Sequence, residues 1–249
     1  MTQKFSLSLI PAIFAIENTM LKKLLVILIA LTIPFLFVVA SIRIVANPWF
    51  INFEYNRADF PPDSYGFTQA QRTPLALDGL YSVVPEGAGI VLLDQAKLPD
   101  GSPAFQAREI KHMVDVRVLM SKVFPLALVI GGVLIVLAIV FRKSTTYRTT
   151  VPHGLEAGSI LTLVLLLGLI AYILLNFDSF FLTFHRLFFE GDSFMFRFDD
   201  TLIRLYPEQL WSDASILIGF LTGALAVLGI VIGRVWLKRI NRVEDQPHE

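Results

Sequence analysis

Four uninterrupted apolar runs, residues 24–42, 123–141, 157–175 and 214–233, dominate the pattern of the chain, and none contains a charged side chain. A hydrocarbon core of roughly 30 Å needs about 20 helical residues at 1.5 Å each, so each run predicts a transmembrane helix. Basic clusters mark one side of the membrane. Lys22 and Lys23 precede the first run, Arg142, Lys143 and Arg148 follow the second, and Arg234, Lys238, Arg239 and Arg242 follow the fourth. By the positive-inside rule these ends face the cytoplasm. The expected fold is an all-α membrane protein: four transmembrane helices with a small extracytoplasmic cap between helices 1 and 2. Its expected order is a cytoplasmic segment at 1–23, TM1 at 24–42, the cap at 43–122, TM2 at 123–141, a cytoplasmic loop at 142–156, TM3 at 157–175, an extracytoplasmic aromatic-rich loop at 176–213, TM4 at 214–233 and a cytoplasmic tail at 234–249.

Lys22 and Lys23 before an apolar run imitate a signal peptide, but Arg43 stands where a cleavage motif needs small residues, so the first run reads as an uncleaved helix. Met20 is a more natural start than Met1. In the cap, turn formers at Asn47-Pro48, Pro61-Pro62-Asp63, Pro85-Glu86-Gly87 and Pro99-Asp100-Gly101 separate short apolar pieces, and residues 106–117 read as a helix leading into the second span. The segment after the third span carries eleven aromatic rings: Phe177, Phe180, Phe181, Phe184, Phe188, Phe189, Phe194, Phe196, Phe198, Tyr206 and Trp211. That exceeds what anchoring two helix ends at an interface requires, and a ring-lined pocket for acyl chains is the second reading beside an ordinary aromatic belt.

Composition narrows the function. The chain is 55% hydrophobic and 17% charged, whereas soluble domains run nearer a quarter charged. A formal net charge of zero gives nothing for nucleic acid to bind. With no cysteine there is no disulfide, thiolate nucleophile or cysteine metal site. No P-loop or dinucleotide fingerprint occurs, and no cofactor is expected.

Two histidines carry the candidate chemistry. His112 sits in a charged stretch just before the second span, with Asp115 three residues on, where a helix puts both on one face and the carboxylate can hold the imidazole's tautomer. His185 follows the third span among aromatic rings, on the same expected side of the membrane. Imidazole both takes and gives a proton near neutral pH, so the pair points to acid–base chemistry on something lipid-like. His153 and His248 fall on the cytoplasmic side. The plainer reading of His112 is a solvated juxtamembrane turn, and that of His185 an interface residue making one hydrogen bond. A metal shell from His112, His185, Asp115 and Asp192 is weakly supported, because there is no HExxH. A serine hydrolase is poorly supported too, since no GxSxG occurs. A non-enzymatic membrane protein whose cap binds a partner remains the alternative from another class.

Three motifs together resemble the DUF1461 family of integral membrane proteins, which includes the bacterial lipoprotein intramolecular transacylases. They are His112-Met113-x-Asp115-Val116-Arg117, Phe184-His185-x-x-Phe188-Phe189 and Leu205-Tyr206-Pro207-x-x-x-x-Trp211, and the likeness runs from about residue 21 through most of the chain. The resemblance implies a bacterial cell-membrane acyltransferase acting on a diacylglyceryl lipoprotein among membrane lipids. It moves the sn-2 acyl chain to the α-amino group of the N-terminal cysteine and leaves a lyso-form lipoprotein. The substrate supplies its own amine nucleophile, which fits a chain with no cysteine. His112 and His185 match the family's two catalytic histidines. Arg72, Tyr65, Asp115, Arg117, Phe184, Phe188, Tyr206 and Trp211 are the expected substrate or oxyanion contacts.

Overall fold

Helices make up nearly all the regular structure of the computed structural model, which describes residues 9–188 and 195–244. In chain order these are α1 (Leu9–Val45), α2 (Pro48–Tyr55), α3 (Gln69–Val83), α4 (Val91–Gln95), α5 (Ala107–Phe141), α6 (Thr150–Leu175), α7 (Phe177–Phe188), α8 (Thr201–Leu205) and α9 (Glu208–Glu244). Among the described residues the only β pairing is an isolated bridge between Lys97 and Pro103.

Four of the helices, α1, α5, α6 and α9, are long and apolar enough to cross a membrane. Each overruns the apolar run that predicted it. At 35 residues α5 is about 52 Å long, against a hydrocarbon core of roughly 30 Å, so its charged first turns extend beyond the apolar part. Apolar side chains such as Leu128, Leu174 and Leu175 are bare of protein contacts, as lipid-facing residues are. Most of the described part of the segment expected as an extracytoplasmic aromatic-rich loop is helical. Asn176 accepts the Ser179 N–H at 2.9 Å and caps α7, whose apolar residues recur three and four apart and make it strongly amphipathic. Phe189, Glu190, Asp192 and Phe194 lie outside the described residues.

The described residues form two compact units. One is drawn from Met1–Phe37, Leu128–Leu167 and Thr222–Glu249. Here helices meet through small residues. A Cβ at Gly154 would stand 2.6 Å from Ile29, and one at Gly158 2.6 Å from Ile33, so α6 approaches α1 as only glycine allows. Without water, hydroxyls turn to their own helix: Ser159 donates to Leu155 O at 2.6 Å and Thr162 to Gly158 O at 2.8 Å.

The other unit comprises Val38–Ala127 and Gly168–Leu221 and has a conventional apolar core. Phe50, Ile51 and Tyr55 of α2, Ala76 and Leu80 of α3, Leu93 of α4, Met113 of α5 and Leu202 and Leu205 of α8 are buried together. Local rules set the element starts. Asn47 caps α2 with Pro48 at its first position, and Thr68 and Gln71 form a capping box on α3. The connection between α2 and α3 winds around Asp63, whose carboxylate takes the N–H groups of Tyr65 and Phe67 and pairs with Arg204 at 2.8 Å. Arg57 similarly joins Glu54 at 3.1 Å to Asp213 at 2.6 Å.

Candidate active site

His112 lies one turn into α5, and a set of buried polar contacts fixes where that turn sits. Glu109 is fully buried, and its two carboxylate oxygens accept the N–H of Gln106 at the helix start and the N–H of Leu202 in α8, each at 2.7 Å. The first is half of a capping box; the second ties α5 to α8. Beside it the fully buried Asp200 pairs with Arg108 and accepts the Arg197 N–H at 2.8 Å, while the Thr201 hydroxyl donates to Ala104 O. The stretch so anchored carries Phe196, which lies edge-on to the His112 ring at 5.2 Å.

Burial pushes the His112 imidazole well below its ordinary value of 6.5, and the charge of His185 pushes it further the same way, while Asp115 opposes both. His185 thus acts on His112 electrostatically, in the opposite sense to Asp115. His112 is held neutral at pH 7.

His185 is half-buried on α7. Its ring meets Phe184 edge-on at 5.4 Å, and Phe184 in turn packs against Phe180 and Phe188 at 5.9 and 5.1 Å. On the opposite, polar side of α7, Ser179 and Thr183 are hydrogen-bonded to the Tyr172 hydroxyl of α6 at 2.9 and 3.4 Å. These contacts orient the aromatic side with its histidine.

The other expected site residues divide. Asp115 acts electrostatically on His112. Arg117, further along α5, donates to Ser82 O at 2.8 Å and packs on Gly89, whose φ of +93° is open chiefly to glycine. Tyr206 donates to Ala76 O at 2.6 Å and rests on Gly79, with Trp211 beside it at 6.0 Å. Burial raises the Tyr206 phenol, so it stays a donor. Tyr65 is half exposed, its ring under the Arg204 guanidinium.

Arg72, expected as a substrate or oxyanion contact, is held by neighbouring backbone and rings. It is almost fully buried between the rings of Tyr55 and Phe60, with three of its N–H groups donating to Pro61 O at 2.8 Å and Arg204 O at 2.7 and 3.1 Å. A buried guanidinium needs acceptors for its N–H groups, and here backbone carbonyls from two segments supply them, with two aromatic faces against the cation. Among the described residues no three His, Asp or Glu side chains gather as a metal-binding group, and Asp192 lies outside them. The sequence patterns did not reveal the anchoring roles of Glu109, Asp200 and Phe196.

Known proteins match most of the chain. The family described as lipoprotein intramolecular transacylase Lit matches residues 27–211. An uncharacterized protein of Aquifex aeolicus (strain VF5) is 31% identical over 221 residues, covering 88% of this chain and 98% of the relative. The solved structure of the lipoprotein intramolecular transacylase Lit from Bacillus cereus shares the fold at a TM-score of 0.73 and 21% identity, covering 90% of this chain and 99% of that one. A variant of the same protein with one histidine replaced by arginine matches at a TM-score of 0.75 and 19% identity, over 94% and 99% of the two chains. The chain belongs to the lipoprotein intramolecular transacylase Lit family, integral membrane acyltransferases.

Proposed function

We propose that the chain moves the sn-2 acyl group of a diacylglyceryl lipoprotein to the α-amino group of that lipoprotein's own N-terminal cysteine, with His112 and His185 as the acid–base pair. The observation that carries this reading is the match of residues 27–211 to the lipoprotein intramolecular transacylase Lit family, and the burial of His112 beside the Phe196 ring supports its part in it.

The α-ammonium has a pKa of roughly 7.7 to 8.0 and loses its first proton readily near neutral pH. The free amine attacks the ester carbonyl, forming a C–N bond and a tetrahedral oxyanion. Neutral His112 takes the second proton as the nitrogen becomes an amide. The C–O bond to the glyceryl oxygen then breaks, and protonated His185 supplies the proton that turns this oxygen into a hydroxyl. The histidines return to their starting forms by exchanging a proton. The products are an N-acyl amide and a lyso-glyceryl group, so the count of acyl chains is unchanged. Acid–base help of this kind contributes typically 10²–10⁴-fold, and holding amine and ester together contributes about 7–11 kcal/mol. On those magnitudes confinement is the larger of the two effects, and the Phe184 ring beside His185, packed on Phe180 and Phe188, supports it.

The basic clusters at the ends of the apolar runs support both termini on the cytoplasmic side, with His112 and His185 on the extracytoplasmic side. The boundaries proposed for the spans are those of the apolar runs. A diacylglyceryl lipopeptide labelled isotopically only in its sn-2 chain tests the transfer. Purified protein is expected to place the label on the amide nitrogen with the peptide mass unchanged, and label left on the glyceryl group would contradict the proposal.

A further inference from the structure

We propose that a groove between α1 and α6 holds an anionic phospholipid, its acyl chain along Val26, Ile27, Ala157 and Ile160 and its phosphate at Lys22 and Lys23. The groove has a volume of about 590 Å³, within the range of small-molecule sites. It arises where α6 crosses α1. Gly154 and Gly158 bring the helices together at Ile29 and Ile33, and the groove runs beside that contact, lined by Val26 and Ile27 of α1 and Ala157 and Ile160 of α6.

Its chemistry is two-ended. The wall along the helices is apolar, while Lys22, Lys23, His153 and Glu156 stand at the mouth, where the apolar run at 24–42 begins. Glu156 does not oppose an anion there, because Arg234 holds its carboxylate at 2.7 Å. The Nδ1–H of His153 donates to Thr149 O at 2.7 Å, which fixes that ring and leaves Nε2 as its other polar atom. A soluble anion would leave the apolar wall uncovered, and a zwitterionic lipid would present a cationic group alongside its phosphate. An anionic phospholipid matches both ends, as basic pockets between membrane helices commonly do.

Native mass spectrometry of the full chain in detergent, with dioleoylphosphatidylglycerol or dioleoylphosphatidylcholine added, tests this. The wild type is expected to retain the glycerol lipid over the choline lipid. Lys22→Gln and Lys23→Gln should each weaken that retention about fivefold, while arginine at both positions preserves it. Ala157→Phe, which fills the groove, should lower retention of the anionic lipid with both lysines intact. Equal retention of the two lipids by the wild type, or a preference unchanged in the double glutamine variant, would overturn the proposal. So would competition by glycerol phosphate as effective as that by the lipid, which would assign the mouth to a soluble anion.

Discussion

The ring of Phe196 stands edge-on to the imidazole of His112, centroids 5.2 Å apart and planes at 79°. This contact helps keep water from the imidazole, and burial is the first cause of its depressed protonation. In the proposed mechanism this cover keeps His112 unprotonated as the surroundings acidify, at the expense of some basicity.

Phe196→Ala should therefore move the acid limb of the kcat/KM profile upward. In the wild type the limb belonging to His112 falls below 6.5, since folding disfavours its charged form. Wetting the ring brings it back toward 6.5. The linked stability has the same sign: it is complete above 6.5 and lost progressively as pH falls below that value. A pH series on the variant and wild type checks both, and coincident acid limbs would remove Phe196 from the account.

Glu109→Ala should lower the thermal unfolding temperature of the detergent-solubilised protein sharply. It leaves the N–H groups of Gln106 and Leu202 without their acceptor, at roughly 1–3 kcal/mol for each buried donor. Glu109→Gln keeps one acceptor oxygen and should fall between the two. Thermal scans of the three proteins decide this, and equal losses in the two variants would show that charge matters more than the hydrogen bonds.

Arg204→Ala should cost up to about 3 kcal/mol by removing the cation from the Asp63 carboxylate, whose side chain is 2% exposed and keeps the Tyr65 and Phe67 N–H groups. Burial alone would raise Asp63, but Arg204 and the Phe67 and Tyr65 N–H groups outweigh it and hold the carboxyl below its ordinary value of 3.8. The contribution is thus present above 3.8 and lost as pH falls toward the lower, folded-state value. Unfolding measured between neutral pH and pH 3 checks this, the variant being expected to lose much of the wild type's acid sensitivity.

The spans were legible because hydrocarbon imposes a simple rule: apolar runs of 19 or 20 residues such as 123–141 satisfy it by length alone. His112 and His185 were legible as residues that protonate near neutral pH at the margins of such runs. The contacts that hold His112 were not. Glu109 meets Leu202, and Asp63 meets Arg204, across most of the unit's sequence, and no helical or strand period links such positions. Arg72 in a candidate cap reads as an anion ligand, whereas its hydrogen bonds to the Pro61 and Arg204 carbonyls leave no pattern in the sequence. The amphipathic α7 was hidden by its own aromatic density, which first suggested an interfacial belt.

The central claim is that two imidazoles carry the proton traffic of the acyl shift, and mass spectrometry of lipoprotein N-termini tests it most directly. In a bacterium that otherwise makes only the diacylglyceryl form, the wild-type chain should produce the lyso form with its N-terminal amide. His112→Ala and His185→Ala, at equal protein levels, should each reduce that product by about 10²-fold or more. Undiminished lyso product from both variants would contradict the account.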